Sequence, residues 1–283
     1  MSKLNTIIRA GALAALMIAT FGVSSAFAQE YKETFNSGTE AAKAKNYTLA
    51  VEKFLAAADG AAAEGDTRVE AQARGIVAKI EYNVARALIQ NERFEQALEH
   101  LDTGIEQDPN FAKNYLAKAA TLKKMDRWDD AVPVYQQAIE VGNASADTQT
   151  ARTAEQALRD QYVYLASSTL SRGGGNATRA QAQQALEYLD TLQTLVEADA
   201  DALYYMAEAN KVLGNFDEAI SLADQALEIH RGSRTDKAKI YFVKGEALMS
   251  TGKAAEARTA FENASYGSYR ASAQHFLETL GTN

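Results

Sequence analysis

A chain of 283 residues is long enough for one large core or for a string of small ones, and two prolines among abundant Ala, Leu, Glu and Gln favour helix throughout. There is no cysteine, which excludes a disulfide framework, a thiolate metal site and thiol acylation, and three histidines leave little for an imidazole metal centre. A net charge of -8 disfavours nucleic acid as a partner, because phosphates repel an acidic surface.

Residues 1–28 read as an export signal. Lys3 and Arg9 precede the apolar run Ala10–Val23, and Ala26-Phe27-Ala28 has the small-residue pattern of a cleavage site, which makes Gln29 the mature N-terminus. An uncleaved anchor is the competing reading, but the run is short for a bilayer core of about 30 Å. No later stretch approaches transmembrane length. The expectation is a soluble, exported protein, periplasmic or secreted, with no integral membrane segment after cleavage.

From Asn91 to Gly142 the chain repeats itself. Phe94-Glu-Gln-Ala97 returns as Trp128-Asp-Asp-Ala131, 34 residues later, and Leu101 and Tyr135 follow the two alanines at the same distance. A period of this length marks stacked helix pairs. Extending the register outward gives anchors at Ala50, Ala97, Ala131, Ala185, Ala219 and Ala257. Four residues after them come Phe54, Leu101, Tyr135, Leu189, Ala223 and Phe261; seven after come Ala57, Gly104, Ala138, Leu192, Ala226 and Ala264. Steps of three and four keep these residues on one helical face. Twelve residues before the anchors stand Gly38, Ala85, Ala119, Ala207 and Gly245, small enough for a close crossing with the preceding helix.

Turn and cap signals fall between these faces: Gly60, Asn91-Glu92, Asp108-Pro109-Asn110, Gly214-Asn215 and Gly252-Lys253. Two spacings between anchors, 47 and 54, exceed 34 by many residues, and the excess predicts long helices, one opening at Asp66-Thr67 and running to about Gln90, one over Asp147–Leu170. Pro133 falls near the start of a second helix, where a missing N–H is tolerable. Ser268–Leu280 reads as a closing amphipathic helix that covers the last apolar face.

This pattern resembles the tetratricopeptide repeat family over nearly all of residues 29–283, although Pro109 alone fills the family's terminal proline position. The resemblance implies an all-α, right-handed α-α solenoid of about six helix pairs with a C-terminal capping helix, in one domain; three successive glycines within 171–178 read as a flexible break in it. It also implies a concave face lined by the first helix of each pair, where protein or peptide segments lie. At the spacing of that face stand Lys79, Tyr82, Asn83, Arg86, Lys113, Leu116 and Ala120 in the first half, and Tyr164, Tyr204, Glu208, Phe242, Glu246 and Met249 in the second. The first set is basic and polar, the second aromatic and acidic, so partner binding by charge complementarity and aromatic anchors is expected. For Tyr82, Leu116 and Tyr204 packing between neighbouring repeats is an equal reading. The carboxylate clamp of the chaperone-binding members is not expected: Asn83 and Lys113 match it, whereas Phe35, Thr39 and Ala117 do not.

Catalytic constellations are not visible. Asp129-Asp130 suits a solvated helix start favoured by the macrodipole, and His100, His230 and His275 fall in different units without an acid at motif spacing. Arg172-Gly-Gly-Gly175 lacks the Gly-Lys-Ser/Thr ending of a phosphate loop. The sequence therefore reads as a non-catalytic scaffold without cofactor or metal, binding a protein or peptide in its groove, with self-association into an envelope assembly as the alternative.

Overall fold

The computed structural model describes residues 29–172 and 176–281; the segment read as an export signal, 1–28, and the glycines 173–175 lie outside the described residues. Among the described residues every regular element is a helix. In chain order these are α1 (29–43), α2 (Tyr47–Ala63), α3 (Thr67–Gln90), α4 (Phe94–Gln107), α5 (Ala112–Lys124), α6 (Trp128–Ala144) and α7 (Thr148–Ser171). There follow α8 (Arg179–Leu195), α9 (Ala200–Leu213), α10 (Phe216–Ile229), α11 (Arg234–Ser250), α12 (Ala254–Ala264), a 3-10 turn over Gly267–Tyr269, and α13 (Arg270–Gly281).

The helix ends follow from local chemistry. Asn46, Asp66, Thr178, Asp199 and Ser233 each accept the backbone N–H three residues on, an N-cap contributing about 1 kcal/mol. The first helices end in a second device. Five residues before their anchors, Lys45, Glu92, Asp126, Gly214 and Gly252 all have positive φ. The next residue donates its N–H back to the last helical turn, as Arg93 does to Leu88, Arg127 to Leu122 and Asn215 to Asn210. One left-handed turn is thus used five times in one register. The pair around Ala185 departs from it and opens instead on the reciprocal capping box of Thr178 and Gln181.

The six anchor alanines are fully buried, as are the residues four and seven positions after them. Those small side chains let α2 approach α1, α4 approach α3, α6 approach α5, α10 approach α9 and α12 approach α11. The fit is close: a Cβ added to Gly38 would touch the ring of Phe54 at 3.2 Å, and one on Gly245 would meet Phe261 at 2.7 Å. Helix contacts with the next pair, α3 with α5 and α9 with α11, make this a stack of helix hairpins.

The chain divides into two compact units, one ending at Ala154 and one beginning at Glu155, with the division inside α7. The first unit is centred on Phe54, Val77 and Ile80, with Phe35 edge-on to Phe54 at 5.1 Å. The second closes on Leu248, Phe261 and Ala273, with Phe261 and Phe276 stacked at 4.8 Å. Here α13 supplies the expected closing helix, and a 3-10 turn precedes it.

Two expectations from the sequence change. Gly60 is not a breaker; it lies inside α2, where a Cβ would come within 2.9 Å of the Cβ of Tyr31 on α1, and α2 turns at Gly65 (φ 73) instead. Tyr31 then reaches across and donates its hydroxyl to Asp66, the N-cap of the long helix α3. Pro133 is the sixth residue of α6, past the turn where its missing N–H is free, and it is exposed. The two long helices are present, each 24 residues, and both open on an Asp-Thr step.

Candidate functional site

In the first unit α3 and α5 present the predicted polar face. Lys79, Asn83 and Arg86 on α3 and Lys113 on α5 are exposed. None of these three cations forms an ion pair among the described residues. Leu116 and Tyr82 are half-buried. Tyr82 packs beside Ala85, Ala97 and Leu101, edge-on to Phe111 at 5.7 Å, so it is a wedge between helices as much as a contact surface. Its ring also carries the Arg86 guanidinium, 5.6 Å from the centroid.

In the second unit three predicted residues come together. Tyr204, Glu208 and Glu246 line a cleft of about 560 Å³ with Tyr205, Lys211 and Val212 of α9, the end of α7 and Asn176-Ala177. Lys211 sits between the carboxylates, its Nζ 2.9 Å from Glu208 and 2.7 Å from Glu246. Burial pulls the ammonium pKa down, but the two carboxylates outweigh it and hold it above its ordinary value. The cleft therefore carries two acids and one base, a net negative site with aromatic walls.

The aromatic anchors expected in this unit are for the most part packing residues. Tyr204 is 8% exposed, T-shaped to Tyr205 at 4.8 Å, with the Lys239 ammonium 4.8 Å over its ring; burial raises its hydroxyl pKa well above the usual range. Phe242 and Met249 belong to the closing cluster: the Phe242 ring lies 5.2–5.7 Å from Tyr269, Phe261 and Phe276. They correct the expectation of free anchors, because the inner position of a first helix also abuts the next pair. Tyr164 is the exception, 63% exposed on α7 and outside the cleft lining.

Sequence reading missed Lys211, Tyr205 and the Asp201–Lys239 ion pair (2.6 Å) that ties α9 to α11. Asp201 and Lys239 stand eighteen residues before Ala219 and Ala257, so the anchor register would have paired them. It also missed the bond of His100 to Glu81 at 2.5 Å, which carries no local signal across 19 residues. Among the described residues there is no cluster of three or more His, Cys, Asp or Glu able to hold a metal, and no helix long and apolar enough to cross a membrane.

The family's sequence model, described as tetratricopeptide repeat, matches residues 82–140, 177–234 and 213–274, more than half of the chain. The chain is a tetratricopeptide repeat protein. Its fold is the all-α helical solenoid of that family, a protein-interaction scaffold, and tetratricopeptide repeat proteins bind protein or peptide partners. The chain is similar to a DnaJ homolog subfamily C member 7 homolog of Dictyostelium discoideum, 25% identical over 191 residues, covering 65% of this chain and 33% of that protein. It thus spans about a third of the length of that curated relative. Among solved structures, YrrB, a TPR protein with an unusual peptide-binding site, is 19% identical with TM-score 0.34, covering 66% of this chain and 84% of that one. The TPR domain of P58(IPK) is 17% identical with TM-score 0.35, covering 89% of this chain and 65% of that one.

Proposed function

We propose that this tetratricopeptide repeat protein is an exported, non-catalytic scaffold that holds a segment of another protein against its first helices. The observation that carries the reading is the cleft on α9 and α11. Glu208 and Glu246 reach it from neighbouring first helices at one register position, eleven residues before their anchors, and Lys211 holds both in place. A polar concavity with aromatic walls suits side chains presented by an extended segment. Export rests on the sequence of residues 1–28.

Two experiments test this. Co-purification from the native source with the unaltered chain, with Tyr205→Ala and with Arg86→Glu should recover a defined partner that either variant loses, while both variants keep their helical spectrum. Recovery of the same partners by all three chains would contradict it. N-terminal sequencing of the native protein should begin at Gln29; an intact N-terminus in the cytoplasmic fraction would refute export.

A further inference from the structure

We propose that the face made by α3 and α5 binds an acidic segment of the partner, with a side-chain carboxylate seated between Lys79 and Lys113. This names partner chemistry for the scaffold reading and rests on it.

The argument is one of register. Eighteen residues before the anchor, the second unit has Asp201 on α9 and Lys239 on α11, and these two side chains meet at 2.6 Å. Residues at this position on neighbouring first helices therefore come into contact. In the first unit the same two register positions hold Lys79 and Lys113, on first helices α3 and α5, which also pack against each other. Both are exposed and neither forms an ion pair among the described residues. Cations on α5 do pair where an acid is within reach: Lys118, facing α4, bonds to Asp102 at 2.5 Å. Two ammonium groups thus occupy the place where the second unit has an ion pair, and like charges there repel. A carboxylate from outside takes the role that Asp201 fills internally.

The surroundings extend the same preference. Arg86 lies seven residues beyond Lys79, on the same side of α3 and about 10 Å along it. Its guanidinium rests on Tyr82, which Phe111 braces, so its position is set before binding. Lys124 lies eleven residues beyond Lys113 on one side of α5, and α5 contains no acidic residue. One acid borders the face, Asp108 of the turn before α5, whose carboxylate lies beside Gly75 one turn before Lys79; α5 itself adds none, in a chain whose net charge is -8.

The probe is a short labelled peptide alternating glutamate and serine, against the full chain, with its lysine counterpart and a C-terminally amidated form. The glutamate peptide should bind at low salt, the lysine peptide should not, and amidation should change nothing, because side-chain carboxylates are what is recognised. Lys79→Asp recreates the arrangement of Asp201 and Lys239: it should weaken the glutamate peptide by about tenfold or more while raising the melting temperature. Arg258→Asp, an equal charge change on exposed α12, should leave affinity within about twofold. Undiminished binding to Lys79→Asp, equal weakening by Arg258→Asp, a lowered melting temperature for Lys79→Asp, or no preference for glutamate over lysine would each overturn the proposal. If the co-purification above still succeeds in that event, the acidic chemistry falls and the scaffold reading stands.

Discussion

Gly104 and Asn114 form a matched pair whose separation should be costly and whose joint replacement should be nearly free. Gly104 stands seven residues after its anchor, where four of the other five repeats carry alanine. The exception follows from Asn114 of α5, which is fully buried and lies over it: a Cβ on Gly104 would come within 2.5 Å of Asn114 Nδ2 and 3.0 Å of its Cγ. Asn114 itself is poorly satisfied, its Nδ2 donating to the Ala78 carbonyl at 3.4 Å while its Oδ1 has no partner. Gly104→Ala gains about 1 kcal/mol of helix propensity but overpacks at about 2–3 kcal/mol, so a net loss of about 1–2 kcal/mol is expected. Asn114→Ala loses a weak hydrogen bond and leaves a void over glycine, about 1 kcal/mol. In the double variant the new methyl occupies the vacated space and the propensity gain remains, so stability should return to within about 0.5 kcal/mol of the parent. Urea unfolding followed by circular dichroism gives the three values, and the coupling between the sites should reach about 2–3 kcal/mol. Additive losses, with the double variant the least stable of the set, would refute this account of the interface.

Further outcomes follow from the same geometry. Glu92→Gly and Asp126→Gly should each stabilise by about 0.5–1 kcal/mol, because their positive φ costs an L-residue about 1–2 kcal/mol, more than the entropy glycine loses on folding; thermal melts read this directly. Glu208→Gln or Glu246→Gln alone should be mild, since Lys211 keeps one carboxylate. Together they should cost about 3 kcal/mol, measured by urea unfolding, because the ammonium is then mostly buried without a counter-charge. Burial pushes the Tyr135 hydroxyl up to about 12. Its contribution to stability is complete below pH 10 and is lost as pH rises through the folded value, so alkaline unfolding should begin above pH 10, accompanied by tyrosinate absorbance, and Tyr135→Phe should delay it.

The repeat register was legible because it depends on residue size at fixed intervals. Six small anchors, five of them followed by a larger residue one turn on, need no knowledge of the partner helix, and all six proved buried. What stayed hidden depends on residues that are distant in sequence. Gly60 looks like a turn until Tyr31, 29 residues earlier, is seen to pack on it. Phe242 has the spacing of a groove residue, yet the closing helix brings Phe276 against it, and nothing near position 242 announces that. The basic and acidic residues of the first helices could be read, whereas their pairings could not. Lys211 lies on the same helix as Glu208, but its second carboxylate arrives from α11.

The central claim, that the first helices hold the partner, is tested most directly by photo-crosslinking in the native source. A photoreactive residue would replace Asn83 or Tyr205 on first helices, or Gln136 or Gln225, exposed on second helices α6 and α10. The account predicts one defined partner crosslinked from 83 and 205 and none from 136 and 225. Crosslinks confined to 136 and 225 would place the partner on the opposite helices and contradict it.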